Sequence, residues 1–220
     1  TSQPPASEFE QVFRTACQNG DEVLAIIISG NLSGTVASAV AAQRALPDLP
    51  ITVFDSRATG ANMALMAEYA AERAASGATV AEIVRDLEII RGRSQLLFTV
   101  STFRYLQKGG RIGGASALAA SVLQIKPILT LNDGVVDVWT KVRGKRKALQ
   151  TMIQTARERG GAGEHMRVAV IHGADPETAA ALADEVVETL GCRRRPLMKI
   201  SPVLGVHVGP GAVGLGYFSE

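Results

Sequence analysis

The densest run of groups able to do chemistry is Ile28-Ser29-Gly30-Asn31-Leu32-Ser33-Gly34-Thr35. Three hydroxyls and two glycines follow a β-branched run, and an Ala-rich stretch with helical character follows them. A strand, a polar turn and a helix start in that order aim free backbone N–H groups and hydroxyls at one point. The unpaired donors and the positive end of the helix dipole favour an anion there. Ser33 has the central position, with Ser29 as its neighbour. A plainer reading also fits: Ser33 caps the helix, as serine commonly does.

Two further readings involve residues far along the chain. Gly30-Asn31-Leu32-Ser33-Gly34 resembles, without matching, the G-x-S-x-G nucleophile turn, and His207 could supply a base. That combination would make an acyl-ester hydrolase, although no carboxylate is placed to orient the histidine. Lys108-Gly109-Gly110-Arg111-Ile112-Gly113-Gly114 carries two cations on a glycine loop. Its Arg111 offers a bidentate fork suited to a carboxylate or phosphate.

Other chemistries are excluded or unsupported. Gly209-Pro210-Gly211-Ala212-Val213-Gly214 fits G-x-G-x-x-G, but too few residues follow it to open the helix that a dinucleotide site needs. No Walker A loop occurs, and no His, Cys, Asp and Glu cluster has metal spacing, so neither a metal nor a cofactor is expected. The 220 residues carry a net charge of +2, with 46% hydrophobic and 20% charged residues, an ordinary globular balance. Basic clusters at 141–147 and 193–195 lack the interleaved aromatics of a nucleic-acid surface, Trp139 aside. No apolar run approaches the ~18 residues of a membrane span. Cys17 and Cys192 stand far apart, as free thiols of a reducing cytoplasm do.

The elements that must position these groups alternate helix and strand. A helix with capping-box spacing at Ser7 and Glu10 precedes a strand at 23–28; a helix at 36–46 and a strand at 51–54 follow. Helices at 60–75 and 80–91 come next, the second with capping-box spacing at Thr79 and Glu82. This pattern predicts a Rossmann-like parallel sheet covered on both faces, with ligands at the carboxyl ends of its strands, near Ser29, Ser33 and Asp55-Ser56. The texture changes near residue 93, which divides the chain into 1–92 and a second α/β domain with a mixed sheet, 93–220. There the sequence predicts strands at 96–100, 167–172, 197–201 and 212–218, and helices at 102–107, 115–122, 145–158 and 176–190. Asn132-Asp133-Gly134 between apolar runs predicts a β-hairpin over 125–131 and 135–142.

Several blocks fall in a telling order: Thr1-Ser2-Gln3-Pro4, Leu32-Ser33-Gly34-Thr35, Asp55-Ser56, Lys108-Gly109-Gly110-Arg111-Ile112, Ile125-Lys126-Pro127, Lys141-Val142-Arg143, and Gly205-Val206-His207-Val208-Gly209-Pro210-Gly211. Together they resemble the DegV family, bacterial fatty-acid-binding proteins that include the acyl-carrier subunits of fatty acid kinase. The resemblance spans essentially the whole chain. Family members also have a segment ahead of the TSQP block, with a strand ending in Asp-Ser. Its absence suggests an N-terminally truncated chain and an incomplete first domain. The resemblance implies a long-chain fatty acid such as palmitate, its tail in a tunnel of the second domain and its carboxylate at the domain junction. It implies Thr1, Ser33 and His207 as carboxylate ligands. It further implies Arg111 and Arg143 as groups that engage a kinase or the acyl-phosphate, the protein itself catalysing nothing.

Overall fold

The structure, a computed structural model, describes residues 1–118, 125–193 and 195–220. Its first layer is small. Helix α1 (Ala6–Ala16), strand β1 (Val23–Ile27), helix α2 (Thr35–Ala45) and strand β2 (Ile51–Asp55) form a unit in which β1 and β2 pair in parallel. Strand alternation gives the pair two apolar faces. Ile51, with Val23, Ala25, Ile27 and Val53, packs on Phe13, Ala39 and Ala42 of α1 and α2. Phe54, with Leu24 and Ile26, turns the other way, into the main core.

The larger sheet has six strands in the order β5-β4-β3-β8-β6-β7. These are β3 (Gln95–Thr99), β4 (Ile125–Asn132), β5 (Val135–Arg143), β6 (Met166–Gly173), β7 (Met198–Lys199) and β8 (Ala212–Ser219). Only β6 and β7 pair in parallel, so the sheet is mixed, as the sequence predicts. Helices α3 (Gly60–Ala75) and α4 (Val80–Arg93) cover one face, and α6 (Lys145–Gly160) and α7 (Pro176–Leu190) cover the other. Leu96 and Phe98 join the first core and Leu97 the second, as a strand buried on both sides requires. Helices α3 and α4, which run up to Arg93, thus share a core with the six-stranded sheet and with Phe54 of β2.

Local chemistry explains where sequence and structure agree and where they part. Thr79 and Glu82 form a reciprocal capping box at the start of α4. The expected box at Ser7 and Glu10 does not form: α1 starts directly after Pro5, with no side-chain cap, which puts Ser7 inside the first turn. The β4–β5 hairpin turns through Asp133 (φ 48°) and Gly134 (φ 76°), the double positive φ that Asp-Gly adopts readily. In place of the helix expected at 115–122 there is a 3₁₀ turn over Gly113–Leu118, and the remainder of that expectation lies outside the described residues. The strand expected at 197–201 shrinks to β7. The chain then enters a short helix, α8 (Pro202–Val208), which the sequence reading did not assign. Ser201 caps α8 by accepting from the Leu204 N–H, and Pro202 starts it, a common N-terminal pairing.

Candidate functional site

A cavity of about 390 Å³ opens between the six-stranded sheet, the turn after β1, helix α8 and the helix α5 (Arg104–Lys108). This size falls within the ~300–1,000 Å³ of small-molecule sites. Most of its wall is apolar: Leu96 and Phe98 of β3, Leu106 of α5, Leu131 and Val136 of the hairpin, Ile171 of β6, and Leu204 and Val208 of α8. Its polar lining consists chiefly of Thr1, Ser33, Thr35, Thr59, Arg111 and His207.

The turn after β1 builds the polar end. The Ser29 carbonyl accepts the N–H groups of both Leu32 and Ser33, at 3.0 and 3.1 Å, which curls the chain back on itself. Gly34 is the N-cap of α2 and gives no side-chain cap, so Ser33 stands one residue before the cap. The Ser33 hydroxyl pairs with Thr35 Oγ1 at 2.7 Å. Ser33 is thus not the N-cap residue, although its hydroxyl also accepts the Thr35 N–H, the first of α2, over a long 3.4 Å. Segment 1–4 lies across this turn: a Cβ on Gly34 would fall 2.8 Å from Gln3 Nε2, so glycine leaves room for Gln3.

His207 comes to the same place from α8. Its Nε2 lies 3.0 Å from the Thr1 hydroxyl, and its Nδ1 is buried without a hydrogen-bond partner. Desolvation, reinforced by the Arg111 charge, pushes the His207 pKa below its ordinary value. This favours the neutral imidazole, which has one donor and one acceptor nitrogen. Arg111 is fixed by two carbonyls, donating from Nε to Leu32 O (3.1 Å) and from Nη1 to Gly109 O (2.8 Å). Among the described residues, its Nη2 makes no hydrogen bond.

The structure thus brings Thr1, Ser33, Arg111 and His207 to one cavity, and it places Ser29 and Arg143 elsewhere. Ser29 is fully buried, and its hydroxyl donates to Gly134 O at 2.9 Å while accepting the Asn31 N–H. Asn31 donates to Asp133 O at 2.8 Å, and Arg57 pairs with the Asp133 carboxylate. These bonds clasp the hairpin tip to the end of β1, a structural role for Ser29. Asp55 and Ser56 are likewise committed to backbone groups of their own turn and of β1 and its turn. Arg143 is exposed at the end of β5, outside the cavity lining. Of the other basic residues, Lys145 bridges Asp175 at 2.6 Å and Arg195 pairs with Glu68, whereas Arg194 lies outside the described residues.

Sequence reasoning missed Thr59 as a lining group, along with α8, and did not single out Thr35 among the hydroxyls of its turn. Only the Ser201-Pro202 pair signalled that helix. Among the described residues, no group of three or more His, Cys, Asp or Glu side chains could share a metal ion. None of the helices there is long and apolar enough to cross a membrane.

A family described as "Uncharacterised protein, DegV family" matches residues 1–220. A DegV domain-containing protein of Deinococcus radiodurans is 39% identical over 98% of this chain and 76% of its own length. A solved DegV family protein from Thermus thermophilus, described for its fatty acid binding, superposes with a TM-score of 0.94 at 33% identity, over 100% of this chain and 78% of that one. A stearic acid-binding protein from Eubacterium ventriosum gives 0.88 at 27% identity, over 99% and 77%. Whole-chain sequence similarity and a shared fold lead to one conclusion: this chain belongs to the DegV family.

Proposed function

We propose that this protein binds one long-chain fatty acid and presents it to lipid metabolism without transforming it. The carboxylate meets Thr1, Ser33, Arg111 and His207, and the tail runs along Leu96, Phe98, Ile171 and Leu204. The observation that carries this reading is a cavity lining that joins a few hydroxyls, one guanidinium and one imidazole to a mostly aliphatic and aromatic wall. Solved relatives described as fatty acid-binding support it. Each buried methylene contributes ~0.8 kcal/mol, so a sixteen-carbon tail has a gross driving force of ~12 kcal/mol before ordering costs. The polar end then sets orientation more than affinity.

Arg111 faces the carboxylate, or the phosphate that a separate fatty acid kinase would add to it. Arg143, exposed and away from the cavity, is left for that partner. A location in the bacterial cytoplasm fits two cysteines that are both buried and free. A Ser33–His207 hydrolase is the weaker reading, because Ser33 pairs with Thr35, His207 pairs with Thr1, and the nucleophile–base contact is not made.

Displacement of a fluorescent fatty acid from delipidated protein tests the proposal, with unlabelled acids of eight to eighteen carbons beside the matching alcohols. Affinity should climb about fourfold per methylene until the cavity is full. Each alcohol should bind at least about tenfold more weakly than its acid, having lost the charge-assisted bonds. Affinity independent of chain length would overturn the assignment of the tail.

A further inference from the structure

Gly109 ends α5 with φ −78° and ψ −8°, a right-handed geometry open to any L-residue. Its neighbour Gly110, at φ 66°, is in the left-handed region and differs in this respect. Backbone freedom therefore does not account for glycine at 109. Space does. A Cβ at that position would overlap His207 Nδ1 and lie 2.9 Å from Cε1 of the same ring.

The fit is reciprocal. Tyr105, one turn earlier on α5, lays its ring against Gly209, the residue that ends α8, and a Cβ there would overlap the tyrosine ring. Each helix thus inserts one ring into the space left by the other's glycine. The Gly109 carbonyl also accepts the Arg111 Nη1 bond at 2.8 Å. One residue therefore touches two of the four polar groups gathered at the cavity, His207 through its missing side chain and Arg111 through its carbonyl.

We propose that Gly109 is a positioning residue for carboxylate binding, its bare Cα forming the seat that holds the His207 ring beside Thr1 with Nδ1 shielded from water. This inference rests on the fatty-acid reading above for its functional consequence, and on the packing alone for the seat itself. An alanine at 109 satisfies the local backbone and has the higher helix propensity, so α5 survives the change. The imidazole has to leave instead, because the space it occupies is the space the methyl group takes.

The test is a double-mutant cycle between Gly109→Ala and His207→Ala, read by fatty-acid affinity. Gly109→Ala alone should weaken binding at least about tenfold, comparable to losing one hydrogen bond to a charged acceptor. In the His207→Ala background, where the space is already open, adding Gly109→Ala should change affinity less than about twofold. A lipid-independent readout accompanies it: NMR titration of His207 in the apo protein, its resonance assigned by its loss in His207→Ala. Displacing the ring into water should return its pKa upward toward the ordinary value. Unchanged affinity with an unchanged titration would overturn the proposal, as would a full tenfold loss persisting in the His207→Ala background. A shifted titration in a protein whose wild type takes up no fatty acid would sink the lipid assignment and uphold the seat.

Discussion

Leu204→Asp should weaken fatty-acid binding by at least about a hundredfold while leaving the fold intact. Leu204 lines the cavity from α8, a helix with no fully buried residue, so the core does not depend on it. A carboxylate at this position has two options, both unfavourable to binding. It can be stripped of water against the methylene chain, at a cost of several kcal/mol. Alternatively it keeps its water and the tail forfeits several methylenes of burial at ~0.8 kcal/mol each. Either outcome exceeds the ~2.7 kcal/mol that a hundredfold change represents. Leu204→Met, which keeps volume and polarity, is the control and should bind within a few-fold of wild type. Titration with labelled fatty acid, beside circular dichroism to monitor folding, decides the matter. A folded Leu204→Asp with wild-type affinity would remove the tail from this cavity.

Ser33→Ala should cost ~1–3 kcal/mol of binding, the range for one hydrogen bond to a charged acceptor. The Ser33 hydroxyl is partly buried and already oriented by Thr35 at 2.7 Å. It can donate to the carboxylate while Thr35 donates to it. Gly34 is the N-cap, and truncating Ser33 removes from the start of α2 only the long 3.4 Å bond from the Thr35 N–H, so thermal unfolding should shift little. Affinity and unfolding temperature measured on the same preparation separate the two roles. A lowered unfolding temperature with unchanged affinity would assign Ser33 to the turn alone.

The parts of this molecule that were legible in its sequence are those set by neighbours in the chain. The β-branched run ending in a Ser/Gly turn gave β1 and the start of α2 within a residue. Asp133-Gly134 gave the hairpin because few other dipeptides tolerate two positive φ angles. The turn that carries Ser33 to the cavity lining is local in the same way, closed by the Ser29 carbonyl on the Leu32 and Ser33 N–H groups. Thr1 and His207 are 206 positions apart, and nothing local joins them, so only the resemblance to a family pointed to both.

Ser29 shows the opposite limit. Locally it is one more hydroxyl in an anion-favouring turn, yet its bond runs to Gly134, 105 positions away, and makes it a fastening. Arg111 and Arg143 have the same chemistry in sequence, and only tertiary structure separates the arginine on the cavity from the one at the sheet edge. α8 was hidden by its length and by Gly205, because a seven-residue helix has too little periodicity to register.

The central claim is that the cavity is a fatty-acid site, and the most direct measurement is native mass spectrometry of protein purified from a bacterial host without detergent. Organic extraction and lipid identification from the same sample complete it. The expected result is a mass above that of the bare chain by one long-chain fatty acid, with the same acid recovered near one per protein. Leu204→Asp, purified in parallel, should show the bare mass. A wild-type protein at its bare mass, with extracts no richer in fatty acid than a mock purification, would contradict the account.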